Sequence, residues 1–199
     1  MTAARLSARL RQATKDLHAA AERAGIMRRL LEGRVGRGEY AALLASLHPI
    51  YVALEDALAG DRVRATSPMP SLHRAHALAR DLADYGEVAA RAAPLAVDYA
   101  SHVARLAAED PTLVAAHAYV RYLGDLYGGQ ILRGIVQRTL DPPAGRGVAF
   151  YEFGGAEAVD RAKAMIRGAL DALPAHRHDD VVTEARNAFG RHVALFETL

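Results

Sequence analysis

Residues 119–132, YVRYLGDLYGGQIL, decide how this chain is read. Val120, Leu123, Leu126, Ile131 and Ile135 recur at helical spacing, yet Gly124, Gly128 and Gly129 interrupt them. Each glycine costs about 1 kcal/mol against alanine in a helix interior, so the stretch gives up roughly 3 kcal/mol locally. Alanine is abundant elsewhere, so better helix formers were available. Gly124 and Gly128 fall one turn apart on one face, where missing Cβ atoms let something approach the backbone. Two readings are open at this point, a flat ligand against the helix or the close packing of another helix. The Gly128-Gly129 pair is also a place where helices bend.

The same periodicity extends outward in both directions, and period-2 runs are scarce. Leu6, Leu10, Ala13, Leu17, Ala21 and Ala24 mark a first helix, with a break at Gly25 before Met27, Leu30 and Leu31. A second helix is predicted over 37–59, with a kink or a lost backbone bond at Pro49. Residues 60–71, GDRVRATSPMPS, are a loop, followed by helices over 71–84 and 94–108 with a turn at Gly86 between them. Asp110-Pro111 has the form of a helix start, and the glycine-interrupted helix runs from there to Leu140. VAFYEFGG, residues 148–155, has some strand character and is expected to dock as an extended loop. Two further helices are predicted over 155–173 and 179–198. The result is an all-α fold, a single domain spanning 1–199 with about eight helices around one core.

Composition narrows the function. Of 199 residues 51% are hydrophobic but only 6% aromatic, which favours helices packed through alanine, leucine and valine. The absence of cysteine removes disulfides, thiolate ligands and cysteine nucleophiles. Net charge is +2 with both signs interspersed, and basic and aromatic clusters do not interleave, so no nucleic-acid partner is expected. The first 25 residues lack the apolar core of a signal peptide, and no run approaches the roughly 20 apolar residues of a membrane helix. The expectation is a cytoplasmic monomer with no membrane partner.

His18 sits beside the apolar stripe of the first helix, with Lys15 before it and Glu22 one turn after. It is either a hydrogen-bonded boundary residue or a ligand. The small residues Ala19, Ala20 and Ala21 leave room beside the ring, and Glu22 could orient it. Asp125 lies among the glycines with Arg121 one turn earlier. An exposed ion pair there contributes a few tenths of a kcal/mol. The sharper alternative is a carboxylate beside a gap, holding ordered water over a bound group. The other histidines form no metal signature, and no Glu-x-x-His, H-E-x-x-H, P-loop, G-x-S-x-G or G-x-G-x-x-G occurs.

Four segments, LRQATKDLHAAAE (10–22), IYVALEDAL (50–58), HAYVRYLGDLYGGQIL (117–132) and EARNAFGRHVALFETL (184–199), together resemble the haem oxygenase family. They stand in that family's order over nearly the whole chain. The resemblance implies that His18 is the axial ligand to haem iron, with Glu22 near it. It implies that Gly124, Gly128 and Gly129 form a kinked distal helix across the other face of haem b, the cofactor that is also the substrate. Asp125 matches an aspartate that organises distal water, and Tyr51 and Arg121 match members of the same polar network. Arg11, Lys15, Tyr119, Lys163 and Arg167 match positions around the haem propionates, and Phe189 matches a pocket aromatic. Three positions depart from the pattern. Tyr127 stands where serine is usual, His192 where asparagine is frequent, and Pro49 in a helix usually unbroken.

The activity so implied is cleavage of haem at a meso carbon, with alpha as the expected position, to biliverdin, carbon monoxide and ferrous iron. It uses O2 and electrons from an external donor, a ferredoxin, a flavodoxin or an NADPH-dependent reductase. The competing readings are a non-catalytic haem-binding or transfer protein of the same fold, and a purely structural helical protein.

Overall fold

The computed structural model describes residues 4–60, 72–86, 90–143 and 145–199. Every regular element among them is helical. In chain order these are α1 (Leu6–Ala13), α2 (Lys15–Arg23), α3 (Gly25–Leu31), α4 (Arg37–Ala59), α5 (Ala75–Asp84) and α6 (Pro94–Glu109). They continue with α7 (Val114–Ala118), α8 (Gly124–Leu140), α9 (Ala156–Asp171) and α10 (His178–Glu197). A π-helical turn, Tyr119–Leu123, joins α7 to α8 without a break. The predicted loop lies outside the described residues except for Gly60.

The predicted first helix is two helices. Thr14 separates them: its buried hydroxyl donates back to the Leu10 carbonyl at 2.8 Å and meets the Tyr119 hydroxyl at 3.1 Å. A threonine bonded to the i−4 carbonyl competes with the backbone and bends the chain. The break expected at Gly25 is present and has a steric cause. Gly25 has φ +28, and a Cβ there would overlap the Phe196 carbonyl, so α3 starts hard against the end of α10.

Helix α4 packs against α5 and α6 and runs unbroken through Pro49, which forfeits its own backbone bond without ending the helix. It is 23 residues long and apolar enough by length and composition to cross a membrane. However, 61% of its most apolar window is buried inside the protein, as in a core helix. Helix α10 lies across α1, α2, α3, α6 and α7.

Residues 148–155 form the expected extended loop only in part, from Glu152 onward. Ala149–Tyr151 is a 3-10 turn, and all three residues are buried. Its anchor is Asp81 on α5, fully buried, whose two oxygens accept the Ala149 and Phe150 amides at 2.8 and 2.7 Å. One turn on, Asp84 accepts the Gly147 amide at 2.8 Å. Thus α5 sets the positions of Phe150 and Tyr151.

A cleft between an imidazole and a glycine helix

Helices α2, α3, α4, α8 and α10 surround a cleft of about 280 Å³. His18, Ala21 and Glu22 contribute one part of its lining, and Arg121, Gly124, Asp125, Tyr127 and Gly128 another. The remainder is largely apolar, with Leu43, Leu47, Phe150, Phe189 and Phe196 among the residues present.

The His18 side chain is 53% exposed, unusually open for a residue at the edge of a packed helix. Its Nδ1 faces Glu22 Oε1 at 3.6 Å, an ion-pair distance but longer than a hydrogen bond. The Phe189 ring stands edge-on to the imidazole, centroid to centroid 6.0 Å. The imidazole Nε2 makes no hydrogen bond among the described residues and can be offered to a ligand.

The glycines do not act together. A Cβ built on Gly124 or Gly128 meets nothing within 4 Å, so both leave open space at the cleft. A Cβ on Gly129 would pack at 3.6 Å from Tyr151 and 3.8 Å from Phe153, ordinary van der Waals contact. At none of these three positions does a close helix–helix contact require glycine. Helix α8 is continuous from Gly124 to Leu140, through the Gly128-Gly129 pair. The irregularity is the π turn immediately before Gly124. Such turns are rare and persist where the surroundings hold them, frequently at functional sites. Here Tyr119 is tied to Thr14, and Tyr122 donates to Glu55 at 3.4 Å.

The polar part of the cleft is a closed network. Tyr51 donates to Asp125 Oδ2, and Arg121 donates to Asp125 Oδ1 at 2.9 Å and to the Tyr51 hydroxyl at 3.0 Å. This is not the exposed ion pair of the simpler reading, because the side chains of Arg121 and Asp125 are only 12% and 8% exposed. Burial drives the Tyr51 phenol well above its usual value, so it remains a donor. Burial also pushes the Asp125 carboxyl up, against the pull of Arg121 and Tyr51. For Arg121 burial acts downward, but Asp125 and Tyr51 outweigh it and its charge is reinforced.

His192, also in the lining, is almost wholly buried. Its Nδ1 donates to the Ala188 carbonyl at 2.9 Å, which leaves Nε2 as a buried acceptor without a partner among the described residues. Burial and then Arg121 hold its pKa well below the usual histidine value, so the ring is neutral. Behind it, Tyr99 packs edge-on at 4.9 Å. Tyr99 is bonded in turn to His117 Nδ1 at 2.9 Å. His117 and His102 both bond Glu184 Oε1, at 3.0 and 2.7 Å. Sequence spacing concealed this trio, whose candidate ligand atoms lie within 4.8 Å of one another. Arg105 donates to His102 Nδ1 at 2.9 Å, so the trio's ring nitrogens are all hydrogen-bonded, and the cluster buttresses the cleft.

Several predicted residues fall outside the lining itself. Tyr51 reaches it through Asp125 and Arg121, and Gly129 lies behind it. Arg11 and Lys15 are exposed on α1 and α2, and Tyr119 is held at Thr14. Lys163 and Arg167 on α9 lie over the Tyr127 ring, 4.4 and 5.6 Å from its centroid.

With this geometry in hand, comparison with known proteins is decisive. A family model described as heme oxygenase matches residues 4–198. The chain belongs to the haem oxygenase family. Heme oxygenase 1 of Homo sapiens is 40% identical over 206 residues, spanning 98% of this chain and 71% of that protein. Heme oxygenase from Leptospira interrogans superposes with a TM-score of 0.91 at 32% identity, covering 98% of this chain and 100% of the other. Heme oxygenase-1 of the cyanobacterium Synechocystis, solved in complex with heme, gives 0.88 at 31% identity, covering 98% and 92%. The all-helical architecture expected for this family is the one observed.

Proposed function

We propose that this haem oxygenase family member binds haem b in the cleft and cleaves it oxidatively to biliverdin, carbon monoxide and ferrous iron. The observation that carries the reading is the meeting, in one cleft, of an open imidazole and two glycines whose missing Cβ atoms leave empty space. The residues present fit a planar iron porphyrin. His18 would supply a ring nitrogen for the iron, Gly124 and Gly128 leave backbone that a flat ring can approach, and Phe150, Phe189 and Phe196 supply apolar contact. Lys163 and Arg167, with Arg11, Lys15 and Tyr119, are the groups suited to the propionates.

Haem when bound supplies the iron that activates O2 and the ring carbon that is oxidised. The chain's own groups control the proton. Asp125 is held at both oxygens by Tyr51 and Arg121, so it orders water at the cleft without rotating away. His192 Nε2 is a second fixed acceptor for that water. Gly124 and Gly128 would leave room for O2 beside a bound ring, and His18 would be an imidazole ligand, which donates less electron density than a thiolate.

The paired cations of α9, Lys163 and Arg167, would hold the propionates of a bound haem and so set which meso carbon is oxidised, with alpha as the expected position. Electrons come from an external ferredoxin, flavodoxin or NADPH-dependent reductase, to a monomer in the cytoplasm. The test is turnover of reconstituted protein under O2 with a reductant. Green biliverdin with one equivalent of carbon monoxide is the expected product. Stable haem binding without either product assigns a haem carrier instead.

A further inference from the structure

Tyr127 is 53% exposed and lines the cleft from α8, and two cations converge on its ring. Lys163 Nζ lies 4.4 Å and Arg167 Cζ 5.6 Å from its centroid, both within the range in which a ring quadrupole attracts a cation. Lys163 and Arg167 are one turn apart on α9, so their charges repel. Neither is well neutralised. Lys163 meets Asp160 at 3.6 Å, but that carboxylate is 77% exposed, and Arg167 has no ion pair among the described residues. The Lys163 side chain is nevertheless only 16% exposed, little for a lysine that has no buried acid beside it.

We propose that Tyr127 is a positioning residue that holds Lys163 and Arg167 at the edge of the cleft, ready for the two carboxylates of a porphyrin. The inference rests on the haem reading and adds a residue to it. The aromatic face offsets the repulsion between the two cations before any anion arrives, so less ordering remains to be done on binding. Serine has no such face. The hydroxyl of Tyr127 has no part in the proposal, because it is the ring that the cations approach.

The experiment compares iron-free deuteroporphyrin with its dimethyl ester, binding measured by porphyrin fluorescence, in wild type, Tyr127→Leu and Tyr127→Phe. Leucine keeps apolar bulk and helix propensity but has no aromatic face. The expected result is a roughly three- to ten-fold weaker affinity of Tyr127→Leu for the dicarboxylate, with the diester unchanged and Tyr127→Phe at wild-type level. Equal losses on both porphyrins would make the ring an apolar wall and overturn the proposal. So would a Phe variant as weak as the Leu variant. If wild type binds neither porphyrin, the haem reading itself falls. If wild type binds and Tyr127→Leu matches it, only the role of Tyr127 falls.

Discussion

The Tyr51 hydroxyl and the Asp125 carboxylate, 74 residues apart in sequence, are hydrogen-bonded inside the protein, and Arg121 bonds both. A carboxyl group so held has a fixed orientation and two neighbours, Tyr51 and Arg121, that keep their protons near neutral pH. The arrangement makes the distal polar groups a unit rather than a set of separate contributors.

Removal of one member should therefore cost more than the loss of a surface pair. Asp125→Asn leaves the Arg121 charge buried and uncompensated, an expected loss of about 3 kcal/mol in denaturant unfolding. Tyr51→Phe should cost about 1–2 kcal/mol. Adding Arg121→Met to Asp125→Asn should recover part of the loss, because the stranded charge is gone. Strict additivity in that pair would contradict a coupled network.

The glycines should divide by position. Alanine at Gly124 or Gly128 meets open space, so either substitution should stabilise the haem-free protein by about 0.5–1 kcal/mol through helix propensity. Both should weaken haem binding, because the new methyl occupies the cleft. Gly129→Ala, whose Cβ meets only Tyr151 and Phe153 at ordinary contact distance, should leave haem affinity unchanged. Thermal unfolding of apoprotein and haem titration of the three variants separate the two effects.

Gly25 allows no such exchange. With φ +28 and the Phe196 carbonyl where a Cβ would stand, Gly25→Ala should cost more than about 3 kcal/mol or prevent folding. Soluble yield and the unfolding midpoint report it, and a midpoint near wild type would mean that α3 and α10 are not packed as described.

Acidification should weaken the fold in two windows. His192 and His117 are buried neutral, with pKa values lowered mainly by burial. Around His192 the charged neighbour is Arg121, and around His117 the neighbours are Glu184, His102 and Arg191. Below about pH 6.5 the unfolded chain binds protons that the folded chain refuses, so stability falls as pH falls through that point. Glu184 acts lower. Burial raises its carboxyl, but hydrogen bonds from His117, His102 and Asn187 prevail and hold it at about 2. Its contribution is present above the ordinary 4.5 and is lost as pH falls toward about 2. Urea unfolding at pH 7.5 and 5.5 should show the first loss, and His192→Gln should reduce it.

How much of this was legible in the sequence depended on the kind of force involved. Apolar periodicity located α4, α6, α9 and α10 closely, because burial of one face is what forms them. It missed the break at Thr14, which comes from a side-chain hydroxyl bonding back to Leu10 and leaves no mark on periodicity. It could not see the π turn, which shifts register without changing residue spacing. The turn at Ala149–Tyr151 is not legible in the sequence because its conformation is imposed by Asp81, which is far away in the chain. In the site, the glycines and Asp125 stood out as a local cost in need of compensation. Phe150, the neutral His192 and the His102–Glu184–His117 buttress are tertiary products that no single segment displays.

The most direct test of the central claim is the absorption and resonance Raman spectrum of haem-reconstituted His18→Ala, recorded with and without added imidazole. The account predicts loss of the iron–histidine signature in the variant and its return when imidazole fills the space left by the ring. A variant whose spectrum matches wild type without imidazole would show that the iron is held elsewhere, and the cleft would then have been misread.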